Sequence, residues 1–172
     1  MATHAVRRYN LEVFWDDEFK GLEYVHEPFN DPISSRQWLA QGYPDKFTGY
    51  MCDMRSPQPS WNYKFIDIFQ SLGWKDIGTS YYRMDTGTVL PTHGDLYLRY
   101  VDLFDLKGRE DTICRAIVFL EDWQSGHYAE YLGEPYTGWK AGSALEWNYD
   151  TPHLAANIGL TPRYTLQLTG HL

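Results

Sequence analysis

Apolar positions follow two different periods in two parts of the chain. Trp61, Phe65, Ile68, Phe69 and Leu72 recur mostly at spacings of three and four, which puts them on one face of a helix, with Gly73 as its stop. Asp31-Pro32-Ile33-Ser34-Ser35 before Arg36-Gln37-Trp38-Leu39-Ala40 predicts a capped short helix. Pro57-Gln58-Pro59-Ser60 reads as the loop between them. Leu11, Val13 and Trp15 fall at every second position and predict an edge strand. From about Gly78 the pattern changes to short runs rich in Tyr, Val, Ile, Leu and Trp. These predict strands at 79–84, 88–92, 96–103, 112–121, 127–132, 143–149, 153–157 and 164–169. Asp85-Thr86-Gly87, Lys107-Gly108, Gln124-Ser125-Gly126, Ala141-Gly142 and Thr161-Pro162 mark turns between them.

Many short, evenly spaced strands point to a mainly β sandwich or barrel. No glycine-rich phosphate loop follows any strand, so a nucleotide-binding α/β fold is not expected. The chain of 172 residues suits one domain, with 1–78 as strand and helix support and 79–172 as the β core.

Composition narrows the function. Aromatics reach 17%, which suits pleated surfaces and pocket walls. A net charge of −8, with no basic run longer than Arg7-Arg8, argues against a nucleic-acid partner. Cys52 and Cys114 form no CxxC pair and are expected as buried thiols rather than a disulfide or zinc site. No stretch approaches the length of a membrane span, and no apolar run follows the first arginines, so a cytoplasmic protein is expected.

Candidate chemistry begins at His93-Gly94-Asp95. On an extended segment, residues two apart share a face, so an imidazole and a carboxylate converge. A second imidazole from His153 completes a two-His, one-carboxylate set that suits non-haem Fe(II) and leaves positions open. His-x-Asp strings are common, and an ordinary surface turn explains most of them. Arg163 strengthens this one: it lies ten residues past His153, across the turn Gly159-Leu160-Thr161-Pro162. There its guanidinium could clamp a carboxylate, with Thr165 adding a hydroxyl on the same face. This spacing favours His153 over His127 as the distal ligand. His4, His26 and His171 are expected to face solvent or flank the ligands.

With these residues the sequence resembles the 2-oxoglutarate and Fe(II)-dependent oxygenases, closest to their prolyl-hydroxylase-like branch, over roughly residues 79–171. Gly87 with Pro91-Thr92-His93-Gly94-Asp95 resembles the first metal segment. Arg115-Ala116-Ile117-Val118-Phe119-Leu120 is similar to the central strand, and Ser125-Gly126 to a glycine turn. Trp139 to Trp147 resembles the strand before the distal histidine. The resemblance implies a double-stranded β-helix of the jelly-roll or cupin kind. It also implies Fe(II) held by His93, Asp95 and His153, and 2-oxoglutarate held by Arg163 and Thr165. O2 is then the co-substrate, succinate and CO2 are products, and a substrate C–H bond is hydroxylated. The substrate would be a small molecule or peptide, such as a prolyl or other amino-acid residue. Leu90 stands where the branch often has a tyrosine that contacts 2-oxoglutarate, so Tyr82 or Tyr128 is expected to supply the hydroxyl. Arg115 has two available roles: to bind an acidic group, or to form a structural ion pair. Trp147 is expected in the core or the substrate wall. Two alternatives stay open: a cupin-type metal enzyme that does not use 2-oxoglutarate, and a non-catalytic β-barrel binding module.

Overall fold

A computed structural model describes residues 5–44 and 47–172. His4 therefore lies outside the described residues. Along the chain run β1 (Arg7–Asn10), β2 (Val25–His26), α1 (Pro32–Ala40), β3 (Tyr50–Asp53), α2 (Asn62–Ser71), β4 (Lys75–Met84) and β5 (Thr88–His93). After them come α3 (Leu98–Leu103), β6 (Ile113–Phe119), β7 (His127–Tyr131), β8 (Glu134–Tyr136), β9 (Ser143–Asn148), β10 (His153–Asn157) and β11 (Arg163–His171).

The strands form two antiparallel sheets. The larger runs β1-β9-β6-β11-β4-β3-β2 and the smaller β5-β10-β7-β8. This is a double-stranded β-helix with three supporting α-helices among the described residues; the strand pattern led us to expect a sandwich or barrel, and the family resemblance implied this form.

Alternation on β6 explains how one sheet serves two layers. Cys114, Ala116 and Val118 point outward, where they pack with Tyr81, Leu166 and Leu168 under Trp61, Phe65 and Phe69 of the α2 region. Ile117 and Phe119 point inward and join Ala129 and Tyr131 of β7 with Leu145, Trp147 and Trp139. Both faces of β6 are covered, so it reads as a continuous apolar run rather than as an alternating one. Phe65 and Phe69 are fully buried, and each contributes about 1.5–3 kcal/mol of transfer free energy. Leu72, expected on the same face, caps the helix and is half exposed.

Two expectations are corrected. Residues 96–103 do not form a strand. Tyr97 turns into the left-handed region (φ 50°) and α3 follows. Among the described residues no strand lies beside this segment to accept a ladder, and Leu98 and Leu103 stay exposed. The N-terminal edge strand is β1, not 11–15. Leu11 makes one last backbone bond to Gly142, and the chain then leaves the sheet. Trp15 is instead a buried anchor whose indole N–H donates to the Leu120 carbonyl at 3.0 Å. The short strands β2, β3 and β8 had no readable pattern.

Among the described residues no helix is long and apolar enough to cross a membrane.

Candidate metal centre and its cavity

β5 ends on His93 and β10 begins on His153, and the two are register partners in the smaller sheet. The register shifts just after His153, an irregularity of the kind that re-aims a side chain. The His93 Nδ1–H donates to the Pro91 carbonyl and the His153 Nδ1–H to the Thr151 carbonyl, both at 2.8 Å. A carbonyl only accepts, so each ring keeps its proton on Nδ1 and presents a bare Nε2.

Asp95 sits in the turn after β5, between the two imidazoles. Its Oδ1 is 3.7 Å from His93 Nε2, and its Oδ2 is 3.9 Å from His153 Nε2. One donor atom from each of the three residues lies within 4.8 Å of the others, so the cluster could hold a metal ion. A Cβ at Gly94 would lie 2.7 Å from Asp150 Oδ1, the tip of a side chain from the turn before β10.

Aromatic rings wall the cluster. Tyr131 lies nearly parallel to His153 at 6.0 Å, Trp147 packs on the same imidazole at 5.0 Å, and Phe29 meets His93 edge-on at 5.0 Å. Burial, and next the neighbouring His153, lower the His93 pKa to about 4. Burial alone would raise Asp95. The positive Arg115 and the two imidazoles outweigh it and hold the carboxyl below its usual range.

A cavity of about 190 Å³ opens beside the cluster, and His93, Asp95 and His153 all line it. Arg163, the first residue of β11, reaches its floor. This guanidinium is 5% exposed, and burial pushes its pKa down. Nη1 donates to the Tyr128 carbonyl at 2.9 Å, while Nε has no partner among the described residues. Among the described residues no carboxylate pairs with it. Thr165, two residues on and on the same face of β11, is buried with its hydroxyl equally unpartnered. Tyr82 also lines the cavity, with its hydroxyl accepting the Gly49 N–H at 2.5 Å.

Tyr128 is a correction. On β7 the inward positions are 127, 129 and 131, so Tyr128 points out and its hydroxyl donates to Glu130 at 2.7 Å. Only its backbone carbonyl reaches Arg163. Tyr131, two pleats from His127, is the β7 tyrosine that lines the cavity. Strict alternation from His127 would have found it. Gln167, which shares a face with Arg163 and Thr165, was missed for the same reason, and it too lines the cavity. Phe29 arrives from outside the β core and left no signal.

Arg115 and Trp147 both line the cavity. Arg115 Nη2 is 3.4 Å from Asp95 Oδ2. His127 is buried away from the cluster, with its Nε2 2.9 Å from the Thr161 carbonyl. His171 is buried too and pairs with Asp76 at 2.8 Å, while His26 is exposed on β2.

No family model matches the chain, and no curated protein does. Among solved structures, the chain is similar to a Pseudomonas putida prolyl-4-hydroxylase, with a TM-score of 0.59 and 14% identity over 99% of this chain and 95% of that one. A protein from Planctomyces limnophilus aligns at TM-score 0.46 and 10% identity, over 90% and 85%. A cupin from Bacteroides fragilis aligns at 0.40 and 14%, over 60% and 73%. At these identities the likeness to the hydroxylase bears on the fold alone, and it agrees with the two-sheet β-helix described above.

Proposed function

We propose that the protein is an Fe(II)- and 2-oxoglutarate-dependent oxygenase that hydroxylates a substrate C–H bond. The observation that carries this reading is Arg163: a buried cation with no anion beside it among the described residues, facing the cavity that holds the His-Asp-His cluster. A buried unpaired charge is costly. A dicarboxylate co-substrate would supply the missing anion, because its far carboxylate could take the free Nε–H of Arg163 and the hydroxyl of Thr165.

The donor set fits the proposed metal. Two Nε2 atoms with fixed tautomers and one ionised carboxylate are ligands suited to non-haem iron. The iron, when bound, supplies the O2 chemistry that consumes the keto acid and oxidises the substrate. The chain's own residues do the rest. His93, Asp95 and His153 hold the metal, and Arg163 and Thr165 anchor the keto acid. Tyr82 and Tyr131 wall its path, and Phe29, Trp147 and Leu90 keep the cavity apolar and exclude water. A prolyl or other amino-acid residue, free or in a peptide, is the substrate class that the hydroxylase-like reading suggests.

Anaerobic addition of Fe(II) and 2-oxoglutarate should give a metal-to-ligand charge-transfer band, and aerobic turnover should release succinate. Bound Fe(II) with no band would refute the reading. Arg163→Met separates it from a cupin-type metal enzyme that uses no keto acid: only the oxygenase loses co-substrate affinity.

A further inference from the structure

We infer that Arg115 is a positioning residue that fixes which oxygen of Asp95 faces the metal; the inference rests on the metal reading above. Arg115 comes from β6 in the opposite sheet and reaches the cluster with its side chain only 16% exposed. It is held from three sides. Its Nη2 pairs with Asp95 Oδ2 at 3.4 Å, its Nη1 donates to Gln167 Oε1 at 2.8 Å, and its Cζ sits 5.0 Å over the Tyr97 ring. Tyr97 stands two residues beyond Asp95 in the left-handed region, so the turn that carries the ligand also carries the ring under the guanidinium. Gln167 belongs to β11, the strand of Arg163.

This brace has a chemical consequence. A carboxylate on a short side chain can swing about its last torsion and offer either oxygen, or both. Both oxygens border the imidazoles, Oδ1 at 3.7 Å from His93 Nε2 and Oδ2 at 3.9 Å from His153 Nε2, but Oδ2 is engaged by a guanidinium anchored on two further elements, which leaves Oδ1 as the oxygen free to face a metal. The same cation sits close to where a divalent ion would bind, and its charge alone opposes metal binding. Orientation and charge therefore push metal affinity in opposite directions, and that makes the role testable. A group that orients a ligand typically affects metal affinity by 10–100-fold.

Co(II) serves as the probe, without keto acid, in titrations of the folded protein followed by its visible d–d spectrum. Wild type should bind. Arg115→Met should bind about 10–100-fold more weakly with an altered d–d band, and Arg115→Lys, which keeps reach and donors, should recover most of the affinity. Gln167→Leu leaves Arg115 present but removes a brace one step further from the ligand, and should weaken binding by about three- to tenfold, less than the 10–100-fold expected for the group that touches Asp95 itself. It also serves as the deciding variant if Arg115→Met does not fold. Unchanged affinity and spectrum in Arg115→Met, tighter binding in it, or an unaffected Gln167→Leu would overturn the inference. If wild type itself takes up neither Co(II) nor Fe(II), the metal reading is what fails.

Discussion

His93 and His153 are cross-strand partners whose rings stand 4.3 Å apart, each with Nδ1 tied to the carbonyl two residues before it. The same local device on two strands leaves two bare Nε2 atoms aimed at one point. His93→Gln or His153→Gln should thus abolish Fe(II) or Co(II) binding, with a loss beyond the roughly 100-fold ceiling of outer-shell changes. Calorimetric titration with circular dichroism as a folding control measures it. Retained micromolar binding in either variant would remove that residue from the ligand set.

Arg163 is expected to trade stability for binding. Arg163→Met removes an unpaired buried cation and fills the same space, so the ligand-free protein should gain about 1–3 kcal/mol, or about 2–4 °C in Tm per kcal/mol. The same change should cost about 2–5 kcal/mol in 2-oxoglutarate binding. Thermal melts with and without the keto acid read both effects. A less stable variant with unchanged keto-acid affinity would contradict the role proposed for this residue.

Acid should destabilise the metal-free protein. His93 is lowered to about 4 in the folded chain, against about 6.5 when unfolded. Between those values the unfolded state takes up a proton that the native state refuses, so stability falls as pH drops from about 7 to about 4 and then levels off. The full difference is roughly 3 kcal/mol. Asp95, held below its usual range, adds to the loss at the acid end as pH falls through its folded pKa. Urea titrations across this range should show the slope in wild type and a shallower one in His93→Gln.

Tyr131→Phe and Tyr128→Phe should differ. Tyr131 lines the cavity, and removing its hydroxyl should weaken 2-oxoglutarate binding about tenfold, as expected for a bond to a charged group. Tyr128 contacts Glu130 on the outer face, and its loss should leave binding unchanged. Equal effects in competition titrations would refute this division of roles.

Gly49→Ala should destabilise the fold by about 2–3 kcal/mol. A Cβ at Gly49 would stand 2.2 Å from the Arg83 carbonyl oxygen, which is backbone and cannot swing away. The same shift would move the N–H that Tyr82 accepts. Equilibrium unfolding in urea gives the value, and a neutral result would mean that β3 and β4 approach less closely than described.

Most of the β architecture was legible because strands announce themselves locally. Apolar runs of 143–149 and 153–157, bounded by turn residues, need no tertiary information to be recognised. The segment 96–103 misled because its aromatic and aliphatic residues suit a strand as well as a helix. The absence of a neighbouring strand, which no local pattern encodes, decided for α3. Tyr128 misled for a smaller reason: β7 alternates strictly, and its phase relative to the cavity is known only once the sheets face each other.

By itself, the sequence determined which residue types stand at which periods. The shared faces of the His-x-Asp and Arg-x-Thr pairs follow from those periods, while the choice of His153 as the candidate distal partner rests on its spacing to Arg163 and on the family resemblance. The tertiary structure decided what these residues meet. It brought Arg115 from the opposite sheet to Asp95, placed Tyr131 in the cavity, laid Phe29 against His93, and left Arg163 buried with no carboxylate beside it among the described residues. The physical reason is distance along the chain. Side-chain periodicity is a local property of the backbone, whereas a pairing across two sheets depends on which strands face one another and in what register.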